Sequence, residues 1–217
     1  MPPLKLVIAN RNYSSWSLRA WLVLERTRVP FEDVVVPLGQ PATAAEIRKH
    51  SPSGRLPVLV DGAVLAWDSL SIAEHLAERF PSSRLWPSDP AARAVARSVC
   101  AEMHSGFTAL RQTLPMNIRR RRRGGFEAPS VMQDIARITE IWTELRKRFG
   151  AGGPFLFREY GIADAFFTPV AARFRTYGVP LPPEAAAYRE ALLSWPAFRR
   201  WELEAEREPW TLPEYDA

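Results

Sequence analysis

The spacing of apolar positions changes repeatedly over the first 80 residues. Residues 4–9 (LKLVIA) are almost continuously apolar, as in a strand covered on both faces. Over residues 15–28, Leu18, Trp21, Leu22 and Leu24 or Glu25 fall at helical spacing. Residues 31–38 alternate through β-branched side chains and read as a second strand, and 42–50 as a short helix. In LPVLVDGAVLAW two apolar arms flank Asp61-Gly62, a pair suited to a tight hairpin turn. Residues 69–80 again carry a helical period. The order strand, helix, strand, helix, strand, strand, helix (βαβαββα) predicts an α/β unit with a mixed sheet. After it no stretch reads as a strand. Residues 91–114, 130–149, 162–177, 183–194 and 196–206 read as helices, broken by Gly152-Gly153-Pro154 and Trp195-Pro196. The pattern predicts an α/β domain over 1–81, a Pro- and Ser-rich linker over 82–90 and an all-α domain over 91–217.

Composition narrows the function classes. The 217 residues are 47% hydrophobic, enough for a real core. Net charge is +5, and five arginines stand together at 119–123, so the rest of the chain is balanced. A nucleic-acid surface spreads its charge over a face or helix, so no nucleic-acid partner is expected. The run reads as solvated charge, with steering of anions toward a site as the alternative. The one cysteine, Cys100, excludes an internal disulfide and reads as core. No apolar run approaches the ~20 residues of a membrane span, and MPPLKLVIA does not read as a signal peptide. These features lead us to expect a soluble, cytoplasmic protein without a membrane partner. His50, His75 and His104 share no ligand spacing, so no metal is expected, and no phosphate loop or dinucleotide fingerprint is present.

The chemistry-bearing stretch is YSSWSLR, where the first strand runs into the first helix. A helix start offers unpaired N–H groups and partial positive charge, and so favours an anion. Ser14 and Ser15 stand there. Either fits a plain helix cap, and either could donate a hydrogen bond to a bound anion. Asp68 and Ser69 open another helix in the same manner.

Four features together resemble the cytosolic glutathione transferase superfamily: YSSWSLR, GRLPVLVDG, WDSLSIAEHLAERF and GIADAFFTPV, in this order along the whole chain. The resemblance is to serine-type bacterial members, distantly zeta-like. It implies a thioredoxin-like first domain, glutathione as co-substrate, and a hydroxyl that stabilises the glutathione thiolate for attack on a hydrophobic electrophile, as in detoxifying conjugation. Ser14 is the first candidate for that hydroxyl and Ser15 the alternate. By the same resemblance the bond before Pro57 is cis, and the backbone of Leu56 meets the cysteinyl unit. Ser69 takes the γ-glutamyl carboxylate, Asp68 lies near its ammonium, and Arg55 could meet the glycyl carboxylate. His50 is a weaker candidate. Met103, Phe107, Leu110 and Arg111 could share one face and wall the electrophile pocket, or belong to the core. Asp164 matches a structural capping motif, with Gly161 in place of its usual Ser or Thr. The family also implies a homodimer. One departure matters: the zeta class carries Ser-Ser-Cys where this chain has Ser14-Ser15-Trp16, which argues against zeta-type cis–trans isomerisation. That isomerase and a non-catalytic binding protein with this fold are the alternatives.

Overall fold

The computed structural model describes residues 3–216, so Met1, Pro2 and Ala217 lie outside the described residues. The first domain contains β1 (Leu4–Ile8), α1 (Ser15–Thr27), β2 (Phe31–Val35), α2 (Thr43–His50), β3 (Val58–Asp61), β4 (Val64–Trp67) and α3 (Ser69–Arg79). The four strands form one mixed sheet in the order β2-β1-β3-β4, the βαβαββα arrangement expected. β1 pairs parallel with β2, since a helix returns the chain between them. The β3–β4 hairpin turns at Asp61-Gly62, with Gly62 at φ 60.

Strand register gathers the site at one end of the sheet. Val7 of β1 lies opposite Val58, and Val58 opposite Trp67. Pro57 and Asp68, one step beyond these pairs, therefore sit at the edge where β1 leaves for the start of α1. The Leu56–Pro57 bond is cis, as the resemblance implied.

The second domain is helical among the described residues: α4 (Pro90–Ser105), α5 (Thr108–Thr113), α6 (Pro129–Phe149), α7 (Ile162–Tyr177), α8 (Pro183–Ser194), α9 (Pro196–Arg207) and α10 (Pro213–Asp216). α7 lies at its centre, with Phe166, Phe167 and Phe174 fully buried. Each such ring contributes roughly 1.5–3 kcal/mol by leaving water. α7 also packs on α1, so α1 is covered on almost every side and even its Arg19 is 1% exposed. The helical spacing of α1 suggested one buried stripe; the second domain covers the rest. No helix among the described residues is long and apolar enough to cross a membrane.

Three expectations need correction. The helix expected over 91–114 is two helices. α4 ends at Ser105, Gly106 is extended and Phe107 is left-handed at φ 55. α5 then starts anew, with Leu110 N–H donating to Asp134 Oδ2 at 2.9 Å. Met103, Phe107 and Leu110 consequently share no helix face; they lie in the core at 0%, 7% and 0% exposure. Their expected role as pocket wall is not seen. The arginine run, thirdly, is not simply solvated. Arg119 donates to the carbonyls of Glu208 and Trp210 and to the Tyr13 hydroxyl, at 2.8, 2.9 and 3.0 Å, and its N–H donates to Asn12 Oδ1. Arg122 N–H donates to Thr176 O.

These contacts exist because residues 208–216 cross back to the first domain. Glu208 accepts the N–H groups of Arg11 (2.7 Å) and Asn12 (3.1 Å). Leu212 packs so closely on Gly39 that an added Cβ there would sit 2.5 Å from it. Tyr215 lies against Tyr13, and Asp216 accepts from the Tyr13 hydroxyl and from Asn117.

Candidate active site

After β1 the chain turns tightly: Ser14 N–H donates to Asn10 O at 2.9 Å, and Asn10 Oδ1 holds Leu38 N–H at 2.6 Å. This sets Ser14 as N-cap of α1 with extended backbone. Its hydroxyl accepts Ser17 N–H (3.2 Å) and donates to Ser17 Oγ (2.8 Å), which itself accepts Ala9 N–H. Ser14 is thus engaged as donor and acceptor in holding the helix start. The Tyr13 hydroxyl is engaged too, accepting from Arg119 and Leu212 N–H and donating to Asp216. Ser15 differs. Its Oγ accepts from Arg173 Nη2 at 3.3 Å, and its own proton has no acceptor among the described residues.

A cavity of about 490 Å³ opens over these hydroxyls, lined by Tyr13, Ser14, Ser15, Trp16, Leu38, Arg111, Gln112, Pro115, Arg173, Glu214 and Tyr215. Its charge is uneven. Arg173 is 5% exposed and donates only to neutral oxygens, the Leu114 and Pro169 carbonyls and Ser15. Arg111 reaches the His104 carbonyl at 3.1 Å and lies over the Trp16 ring. Arg19, on the same indole and on Phe166, has Nε and Nη1 buried without partners. Among the described residues no ion pair joins Arg19, Arg111 or Arg173 to a carboxylate, and Glu214 stands at the rim without pairing to them. Burial, and then the proximity of the other arginines, lowers Arg19 to about 9 and Arg173 to about 10. Both remain cationic at neutral pH, so the cavity presents buried positive charge that no carboxylate among the described residues pairs directly.

The start of α3 is the second anion-favouring element, and α1 packs along α3. Asp68 caps α3, with Oδ1 accepting Leu70 N–H at 2.8 Å and Ser71 N–H at 3.4 Å. Its backbone stands at φ 75, ψ 134, a sparsely populated region for a residue with a side chain. Ser69 is 1% exposed, and its hydroxyl has no partner. A buried orphan hydroxyl at the positive end of a helix suits an incoming carboxylate. Arg55 is exposed on the loop before Pro57, with its N–H on Ser51 Oγ.

The structure therefore gathers Ser14, Ser15 and Arg111 at one cavity, and Leu56, Pro57, Asp68 and Ser69 at the adjoining sheet edge. Sequence reasoning missed Arg173, Trp16 as cavity wall, and the carboxy-terminal Glu214 and Tyr215. Arg173 had a signal: it is the one charged side chain in the stretch AFFTPVAARF, which is otherwise apolar but for Thr168. No comparable signal marked the tail.

Two family models match the chain: "Glutathione S-transferase, N-terminal domain" over residues 13–79 and "Glutathione S-transferase, C-terminal domain" over 94–202. Among curated proteins, the chain is 28% identical over 194 residues to a probable maleylacetoacetate isomerase of Caenorhabditis elegans, covering 87% of each chain. It is also 28% identical over 205 residues to glutathione S-transferase 1 of Dianthus caryophyllus, covering 90% of each. Among solved structures, a glutathione transferase homolog from Burkholderia gl BGR1 with bound glutathione has the same fold. Its TM-score is 0.74 at 22% identity, over 95% of this chain and 100% of that one.

Proposed function

The chain belongs to the glutathione S-transferase family, and from that premise we propose that Ser15 stabilises the thiolate of bound glutathione for attack on an electrophile carrying an anionic group. The observation that carries this reading is the Ser15–Arg173 pair: a hydroxyl with a free proton, backed by a buried guanidinium that has no acid partner. A thiol of ordinary acidity, near ~8.5, is mostly protonated at neutral pH. A hydrogen bond from Ser15, the start of α1 and the Arg173 charge all favour its anion. Arg173 fixes the acceptor side of Ser15 Oγ, so the hydroxyl proton points away from it. Ser15 needs no base, since it donates a hydrogen bond and does not itself attack.

Glutathione's γ-glutamyl carboxylate would take the Ser69 hydroxyl at the start of α3, and its ammonium Asp68. The backbone beside cis-Pro57, that of Leu56, would meet the cysteinyl unit, and Arg55 is placed for the glycyl end. The second substrate would sit against Trp16 and Tyr215, its anionic group on Arg111 and Arg173. Conjugation is the main reaction. Glutathione-dependent isomerisation of a maleyl-type diacid is the second reading. It is favoured by the same two arginines and by the similarity to the relative named as an isomerase. The edge strand β4 exposes Val64, Leu65 and Trp67 at 48%, 40% and 44%, an apolar strip that supports a homodimer. The buried thiol of Cys100 fits a reducing, cytoplasmic setting.

The test is turnover with matched electrophiles that differ only in a carboxylate. Wild type should prefer the anionic member by about tenfold or more in kcat/KM, a ΔΔG‡ of about 1.4 kcal/mol. Arg111→Met should remove most of that preference. Equal rates on both members, or a neutral preference, would contradict the assignment. Proton spectra of a maleyl substrate would separate isomerisation from conjugation.

A further inference from the structure

We infer that His104, from α4 of the helical domain, is a positioning residue for the amino end of glutathione: its Nε2–H holds the Asp68 carboxylate in place without neutralising it. This rests on the glutathione reading above.

Asp68 has an unusual backbone, φ 75 and ψ 134, which persists only where its surroundings fix it. Its two oxygens have separate tasks. Oδ1 caps α3, and Oδ2 lies 3.2 Å from His104 Nε2. The carboxylate is still 45% exposed, so a ligand can reach it. The imidazole is held by its own surroundings: Trp16 meets it edge-on at 5.1 Å, and Phe166 lies 6.4 Å away.

The proton must be on Nε2. His104 Nδ1 is buried and has no partner, while Asp68 Oδ2 accepts. Burial, and the nearby Arg19 and Arg111, keep the ring neutral against the pull of Asp68. A neutral donor orients a carboxylate and leaves its charge intact, whereas a lysine or arginine in the same place would cancel that charge. An ammonium group is what the remaining negative charge recognises. His104 also touches the other half of the site, since its carbonyl accepts from Arg111 at the cavity. One residue of the helical domain thereby contacts both Asp68 and an arginine of the cavity for the reaction partner.

The test is calorimetric titration of the full-length protein with glutathione and with its analogue lacking the α-amino group. His104→Ala and His104→Asn should each weaken glutathione about five- to tenfold, raise its KM and leave kcat near wild type. His104→Gln, whose amide nitrogen can occupy the Nε2 position, should restore most of the affinity. The deaminated analogue should bind wild type and all three variants alike. In an Asp68→Asn background, His104→Asn should have no further effect. Unchanged glutathione affinity in the Ala and Asn variants, or equal weakening of both ligands, would overturn the inference and leave His104 a packing residue. A wild type that binds neither ligand would overturn both this inference and the glutathione reading.

Discussion

The starts of α3 and α7 are built from similar parts and end in opposite states. α7 begins at Gly161, and Asp164 accepts from Gly161 N–H (2.9 Å), Leu156 N–H (3.1 Å) and the Tyr188 hydroxyl (2.8 Å). Gly161 stands where a Ser or Thr was expected because a Cβ there would lie 2.8 Å from the Leu85 carbonyl, which accepts Ile162 N–H. The linker carbonyl takes over the absent hydroxyl's work of engaging the helix start. The Leu156, Gly161 and Ile162 N–H groups and the Tyr188 hydroxyl are all closed within the protein. At α3 the cap is made by a strained Asp68, and the neighbouring Ser69 hydroxyl is buried with no partner. A helix start that completes its own hydrogen bonds serves the fold; one that leaves a buried donor open serves a ligand. The same contrast separates Ser14 from Ser15 within α1.

The largest effect that would break this comparison is at α7. Asp164→Ala strands three donors, each costing about 1–3 kcal/mol, so stability should fall by at least about 3 kcal/mol in denaturant unfolding. A loss under about 1 kcal/mol would show that the cap is not structural. At α3 the opposite is expected. Ser69→Ala removes a hydroxyl with no partner, so stability should stay within about 0.5 kcal/mol of wild type. Glutathione affinity should drop about tenfold, as for a lost hydrogen bond to a charged group. Destabilisation without loss of affinity would make Ser69 a fold residue.

A smaller effect comes from pH. Burial raises Asp164 to about 6, against the two backbone N–H groups and the tyrosine that favour its anion. With the folded value above the unfolded one, its contribution is full below about 3.8 and is lost as pH rises through about 6. The stability cost of Asp164→Ala should therefore be about 1 kcal/mol smaller at pH 7.5 than at pH 5. A cost that grows with pH would reverse the sign of the argument. Smallest is Ser14→Ala. Losing this cap should cost about 1 kcal/mol or less in stability, with glutathione affinity unchanged. A tenfold weaker affinity in that variant would return Ser14 to the binding site.

Much of this arrangement was legible before any coordinates. Apolar runs, one alternating stretch and helical spacings located all four strands and most helices, since those faces bury locally. Asp61-Gly62, Pro57 and the Asp68-Ser69 pair are short-range signals tied to particular turns and caps. The rest depended on distant partners. Ser14 and Ser15 look alike in sequence. They diverge because one finds Ser17 a turn away and the other finds Arg173, 158 residues on. The break between α4 and α5 follows from Asp134 on another helix. The arginine run resembled solvated charge because nothing marked residues 208–216 as a strap that would return to meet Arg119.

The central claim is that Ser15, not Ser14, sets the acidity of bound glutathione. The direct measurement is the thiolate absorbance of the saturated binary complex, titrated with pH for wild type, Ser14→Ala and Ser15→Ala. Removing a hydrogen bond to a charged group costs about 1.5–3 kcal/mol, which is about one to two pKa units. The account predicts that rise in Ser15→Ala and a wild-type value in Ser14→Ala. A raised value in Ser14→Ala alongside an unmoved one in Ser15→Ala would contradict it.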